Sequence, residues 1–247
     1  MLDLTTKLTP LATKGRIATI FTNNDQIADR AFRDIVEPSD VIVYSARTEY
    51  TDDEPDENGE FHFDTDFKAV ARGFPDTERL DILAFSCTSG TVATGREGIR
   101  KKLEDARPGL KYTTPGIAML KALDYMGAKK IGLLTPYEQY MHDMFIPFLE
   151  EGGIAVTSDG KFEVADEDIS LISVESIIEG AREVSKTGNL DAIYISCTAL
   201  NITPYIQQIE QELKLPVLAS VQVMAWDCLN MLGLKRDMAE FGSLFSS

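Results

Sequence analysis

The chain is poor in the residues that build disulfide and metal frameworks. Its 247 residues hold three cysteines and two histidines, with no CxxC pair, and His62 and His142 lie near no cysteine. A disulfide scaffold is therefore excluded, and a zinc site would need a denser ligand set. Glycine-rich phosphate loops of the GxGxxG or GxxxxGK[ST] kind are absent, so the sequence predicts no nucleotide, no metal and no other cofactor. No apolar run nears the ~18 residues of a membrane span, so no membrane partner is expected. The opening MLDLTTKLTPLATKGR lacks the apolar core and cleavage site of a secretory signal, which predicts a cytoplasmic protein. Basic residues are also scarce: 24 against 40 acidic ones, for a net charge of −16. Such a chain repels nucleic acid and anionic lipid, and any anionic substrate must be held by local groups against the overall field.

What is present is enough for a large core. A hydrophobic fraction of 44% suits one big domain or two small lobes. Short apolar, β-branched runs at 16–21, 40–45, 81–86, 111–114, 130–135, 154–157, 191–196 and 216–219 predict strands. Amphipathic stretches at 25–36, 65–73, 92–106, 116–126, 139–152, 174–186, 203–213 and 221–232 predict helices. This alternation, with continuously apolar strands such as VIVY and ILAF, predicts an α/β protein with parallel sheets covered on both faces. The acidic stretch 51–61, TDDEPDENGEF, reads as an exposed loop.

One phrase occurs twice. Residues 81–90 read DILAFSCTSG and residues 191–200 read DAIYISCTAL. RIATIF followed by Thr22-Asn23 parallels KIGLLT followed by Pro136-Tyr137, and PGIAMLKALDYMG at 115–127 parallels SVQVMAWDCLNMLG at 220–233. Four correspondences in one order predict two pseudosymmetric lobes, each a four-stranded parallel sheet flanked by helices, with the site in the cleft between them. The first lobe is read as 1–114 plus 220–247 and the second as 115–219.

Ligands of open α/β sheets bind beyond the carboxyl ends of strands, where Cys87 and Cys197 both fall. The residues after each, Thr88-Ser89-Gly90 and Thr198-Ala199-Leu200, lead into helices whose free N–H groups bind anions and favour a thiolate. Each motif is thus expected to supply an acidified thiol, hydroxyls and N–H donors able to hold a carboxylate without Arg or Lys. Two thiols across a planar carbon can remove a proton from one face and deliver one to the other. Alternatively, one adds to an activated C=C while the other manages the proton. Cys228, inside AWDCLNML, reads as a buried apolar residue. Asp81 and Asp191 open their strands away from the site and read as structural, and His142 reads as a solvated or helix-packing residue.

At Asn23-Asn24, SCTSGTVATG (86–95), LLTPY (133–137), SCTAL (196–200) and PVLASVQVMAW (216–226), the chain resembles the aspartate/glutamate racemase superfamily. More closely, it looks like the branch holding maleate cis–trans isomerase, arylmalonate decarboxylase and the ectoine-utilisation racemase-like proteins. The resemblance implies a cofactor-independent isomerase of a small carboxylate or dicarboxylate, with Cys87 as nucleophile and Cys197 as acid/base partner. It further implies substrate contacts from Asn23, Asn24, Thr88, Ser89, Tyr137, Thr198, Ala199 and Gln222, and a homo-oligomer, dimeric or larger. Arylmalonate decarboxylases carry Gly in place of the first cysteine, so a decarboxylase using Cys197 alone is the rival, and an inactive carboxylate-binding relative is another. The chain departs from the isomerases at 162–170, FEVADEDIS, where Asp166 or Glu167 would repel a substrate carboxylate.

Overall fold

The computed structural model describes residues 1, 5–7, 13–49, 65–76, 79–186, 189–235 and 237–246. The expected loop 51–61 lies outside the described residues. Two separate four-stranded sheets organise the rest. The first contains β1 (Gly15–Thr22), β2 (Val41–Thr48), β3 (Ile82–Ser86) and β4 (Lys111–Thr113), in the order β2-β1-β3-β4. The second contains β5 (Lys130–Thr135), β6 (Ala155–Lys161), β7 (Ala192–Ile195) and β8 (Val217–Ala219), in the equivalent order β6-β5-β7-β8. Every pairing is parallel. All eight strands fall where the runs predict them; the inner strands β3 and β7 are buried throughout, as cover on both faces requires, while the edge strands β2 and β6 are partly exposed.

Side chains alternate between the two faces of a strand, and the core divides accordingly. In the first sheet Ala18, Ile20, Leu83 and Phe85 pack outward against Phe67, Ile99 and Leu103. Ile17, Phe21, Ile82 and Ala84 face inward, into a cluster shared with Ile131, Leu133 and Tyr194 of the second sheet. That shared cluster also holds Met119 and Leu123 of α5 (Pro115–Tyr125) and Val223, Met224 and Cys228 of α9 (Ser220–Met231). These helices, paired by the internal repeat, pack against each other. Buried Asp227 of α9 clamps them, accepting hydrogen bonds from Thr113 Oγ1 (2.6 Å) and Lys121 Nζ (2.7 Å). Asp81 and Asp191 show the same duplication: Asp81 Oδ2 accepts the Arg16 N–H (2.7 Å) and Asp191 Oδ2 the Lys130 N–H (2.8 Å), each ordering the start of its lobe's first strand. His142 is buried rather than solvated, with Nδ1 2.8 Å from Thr135 Oγ1 and Nε2 3.1 Å from Asp159 Oδ2.

Two departures from the expected elements shape the site. The single helix expected over 92–106 is two, α3 (Thr88–Thr94) and α4 (Arg96–Ala106). They are broken at Gly95, whose φ of +75° a residue with a Cβ rarely adopts. The first of them begins immediately after Cys87. Beyond β6, a 3₁₀ turn at Asp166–Leu171 forms where no element is expected, anchored by buried Ile169 in the second lobe's core.

Candidate active site

In each sheet the first strand has a neighbour on either side, so the chain leaves in opposite directions after the first and third strands. That crevice is where open α/β sheets bind ligands. The loops after β1, β3, β5 and β7 meet here in one cleft: Asn24 and Asp25 from β1, Cys87 from β3, Tyr137 from β5 and Cys197 from β7. The two repeats therefore deliver one thiol each to a common space.

Cys87 caps the N-terminus of α3 and is 5% exposed. Its Sγ accepts the Gly90 N–H at 3.3 Å and lies 3.5 Å from Ser89 Oγ. Thr91 Oγ1 donates to the Cys87 carbonyl at 2.7 Å, fixing the turn. Cys197 follows β7 with φ +90°, one of three non-glycine residues with positive φ among the described residues. The Ala199 N–H and the Tyr137 hydroxyl lie beside its Sγ and favour its thiolate form. Ser196 Oγ donates to the same tyrosine oxygen at 3.3 Å, and the ring stacks on buried Phe145 with centroids 5.5 Å apart. Within the first lobe Thr88 Oγ1 donates to Ser220 Oγ, which lies 2.9 Å from Tyr194 OH of the second.

A backbone held at positive φ costs about 1–3 kcal/mol in a residue with a Cβ and persists where structure over-determines it. Glycine tolerates that conformation, so Cys197→Gly is expected to be about 1 kcal/mol more stable than Cys197→Ala. Comparing the two urea midpoints at equal m-value checks this; equal midpoints would mean that the turn is unstrained.

The expected acidification of the thiols is reversed. Burial pushes Cys87 up to about 11, against the opposing hydrogen bonds from Ser89 and Gly90, and the Asp25 and Asp166 carboxylates push the same way. Burial likewise pushes Cys197 up to about 12, followed by Asp25, against the donors from Ala199 and Tyr137. A helix N-terminus favours a thiolate, but a desolvated sulfur facing carboxylates disfavours one more strongly.

Of the residues expected to bind substrate, Asn24, Thr88, Ser89, Tyr137, Thr198 and Ala199 line the cleft. Asn23 does not. It is exposed, and its N–H is tied to Thr48 O (2.8 Å), so the turn after β1 presents the next residue instead. Gln222 is also removed from the site. Its Oε1 accepts the Ala219 N–H (2.9 Å) and its Nε2 donates to Phe241 O (2.6 Å), so it caps its own helix and holds the C-terminal segment. The 3₁₀ turn closes the cleft with Asp166, Glu167, Ile169 and Ser170. The cleft is narrow, with a solvent-accessible volume of ≈ 30 Å³. No lysine, arginine or histidine lines it among the described residues. Asp25 is the residue the sequence reading missed. The signal was an Asp three residues before a helix, which reads as an ordinary cap.

The chain has the fold of several solved structures. Maleate isomerase from Pseudomonas putida S16 aligns over 94% of this chain and 98% of its own, with a TM-score of 0.78 and 17% identity. A Nocardia farcinica maleate cis–trans isomerase variant carrying a covalently bound succinylcysteine intermediate aligns over the same shares with a TM-score of 0.77 and 17% identity. Arylmalonate decarboxylase aligns over 94% and 99% with a TM-score of 0.74 and 19% identity. In sequence, the maleate isomerase of Geobacillus stearothermophilus is 28% identical over 178 residues, covering 68% of this chain and 70% of that protein. The arylmalonate decarboxylase of Bordetella bronchiseptica is 24% identical over 127 residues, covering 51% and 53%. A family model described as arylmalonate decarboxylase matches residues 93–245, a span that contains Cys197 and stops short of Cys87. Matched over more than half its length, with the two-lobed fold intact, the chain belongs to the arylmalonate decarboxylase family.

Proposed function

We propose that this family member is a cofactor-independent isomerase of a small carboxylate, working with two cysteines. The observation that carries the reading is the convergence of Cys87 and Cys197, one from each lobe, on a single cleft. A decarboxylase needs one proton donor; a second thiol on the opposite wall suits chemistry on both sides of one carbon frame. The maleate isomerase relatives, and the succinylcysteine found in one of them, support a covalent route.

In that route Cys87 loses its proton to solvent, and the small thiolate fraction that its raised position leaves adds to one alkene carbon. A C–S bond forms, and the π pair moves to the neighbouring carbon as an enediolate on its carboxylate. Rotation about the resulting single bond, followed by return of the electron pair and loss of the thiolate, gives the other geometric isomer. Cys197, beside Tyr137 and the Ala199 N–H, supplies the proton to the second carbon and recovers it before the thiolate leaves. Hydroxyls of Ser89 and Thr198 hold the carboxylate. The lobes are taken as 1–114 with 220–247, and 115–219, with α9 packed between α1 (Ala28–Val36) and β4 of the first and α5 of the second.

The test is NMR in D₂O with maleate and a panel of small 2-substituted carboxylates. The expected outcome is cis–trans conversion or deuterium incorporation at one carbon, lost in both Cys87→Ala and Cys197→Ala. Carbon dioxide release that survives Cys87→Ala would establish the decarboxylase instead.

A further inference from the structure

The two copies of Ser-Cys-Thr are identical in sequence and unequal in structure. Ser196, the serine before Cys197, is fully buried just beyond β7. Its N–H donates to Leu134 O (2.8 Å), and its Oγ donates to the Tyr137 oxygen (3.3 Å). Ser86, the serine before Cys87, is as deeply buried, yet its Oγ has no hydrogen-bond partner among the described residues. The internal repeat accounts for the difference. Asn23 stands in the first lobe where Tyr137 stands in the second, and Asn23 is exposed while Tyr137 is buried. Both strand ends carry a serine, and only one of them meets a phenol.

A phenol has a single hydroxyl hydrogen. The Tyr137 oxygen accepts the Ser196 hydrogen, so its own O–H is turned away from Ser196, and the Cys197 sulfur lies beside it. The ring is fixed in this arrangement by its stacking on Phe145. Ser196 is held in turn. Its hydroxyl lies beside that of Tyr194, Tyr194 OH is 2.9 Å from Ser220 Oγ, and Ser220 accepts from Thr88 Oγ1 at 2.9 Å. Thr88, Ser220, Tyr194, Ser196 and Tyr137 are all buried. They form one line of hydroxyls from the residue after Cys87 to the side of Cys197. Away from water such a line is stiff, because a hydroxyl that gives its hydrogen to one neighbour must take one from another.

We propose that Ser196 is a positioning residue: it occupies the Tyr137 oxygen, so that the tyrosine O–H is directed to Cys197 and the second thiol alone is tuned by a phenol for proton transfer. The inference rests on the two-cysteine reading and goes beyond it, since the two thiols cease to be interchangeable. A hydrogen bond to sulfur favours the thiolate over the thiol. It lowers the cost of passing the Cys197 proton to a substrate carbon, while the Tyr137 proton stays on its own oxygen. Cys87 has no phenol beside it among the residues lining the cleft other than this one, and Ser86 turns no hydroxyl toward it.

Alkylation tests this without a substrate. The rates at which iodoacetamide modifies Cys87 and Cys197 are read by peptide mass spectrometry in the wild type, Ser196→Ala, Tyr137→Phe, the double variant and Ser86→Ala, with thermal melts alongside. Ser196→Ala is expected to slow Cys197 at least about 3-fold, because the Tyr137 O–H is freed to turn from the sulfur and the thiolate fraction falls. Cys87 is expected to stay within about 2-fold of its wild-type rate, since no phenol assists it. Tyr137→Phe is expected to give the same selective loss, and the double variant no more than Tyr137→Phe alone, as for groups that act in series. Ser86→Ala is expected to change neither rate. A purely structural role for Ser196 predicts the reverse, a loosened cleft in which both thiols react faster. An unchanged or faster Cys197 in Ser196→Ala, equal slowing of both thiols, or additive losses in the double variant would overturn the proposal. Ser196→Gly, held to the same outcomes, takes the place of the alanine variant if that one does not fold. None of these rates involves turnover, on which the two-cysteine reading is judged separately.

Discussion

Cys87→Ala is expected to lower isomerase turnover by at least ~10³-fold, the loss typical of removing a group that attacks or transfers a proton at the reacting carbon. The residual protein should fold. Cys87 also caps α3 through its Sγ contact with the Gly90 N–H, so the alanine variant loses about 1 kcal/mol of stability along with its chemistry. Cys87→Ser separates the two contributions. A serine oxygen accepts the same N–H and restores the cap, but its hydroxyl ionises far less readily than a thiol, so activity stays low while stability returns. Steady-state rates set beside urea midpoints for the wild type and both variants make the measurement. Recovery of turnover in Cys87→Ser would show that the sulfur is structural, and the case for a two-thiol isomerase would end there. Cys197→Ala is expected to cost ~10²–10⁴-fold in turnover, since a proton donor is replaced more easily than a nucleophile.

Alkylation of Cys87 and Cys197 by iodoacetamide should accelerate about tenfold for each unit of pH from 7 to 10, a total near 10³-fold, because the thiolate is the reacting species and both groups remain mostly protonated over that range. The cause is the raised position of each thiol, about 11 for Cys87 and about 12 for Cys197, set first by burial and then by the facing carboxylates. A free cysteine titrating near ~8.5 would level off before pH 10. A plateau below pH 9 would show that the helix N–H groups outweigh burial. The same shifts tie stability to pH. A cysteine protonated in the fold and ionised in the unfolded chain contributes stability that is present below ~8.5 and lost as pH rises toward the folded value. The protein is therefore expected to weaken between roughly pH 9 and 11, the window in which the unfolded chain binds fewer protons.

Much of the architecture was legible from residue order. A parallel strand covered on both faces has to be apolar along its length, so ILAF and IYI identify themselves wherever they sit. The Ser-Cys-Thr repeat marks strand ends, and strand ends of parallel sheets face the ligand. The pairing of Asp81 with Asp191 could be read for the same reason, since each contacts the first strand of its own lobe. Other features depend on angles and distances that no spacing encodes. Asn23 and Asn24 are adjacent, chemically identical and both exposed, yet the turn after β1 sets only Asn24 on the cleft wall. Gln222 sits at a strand end as expected, but finds partners within its own helix start and the C-terminal segment.

Sequence therefore determined the class of fold, its internal duplication and the two sulfur atoms at its centre, because these follow from local pattern. Tertiary structure decided the electrostatics. Asp25 stands 62 positions before the first of those sulfurs, yet folding buries it at the wall they share. Burial reversed the direction of both thiol shifts, and which residues line the cleft cannot be seen until the four loops are brought together. Dielectric and proximity are properties of the assembled cleft, and a linear order of residues does not contain them.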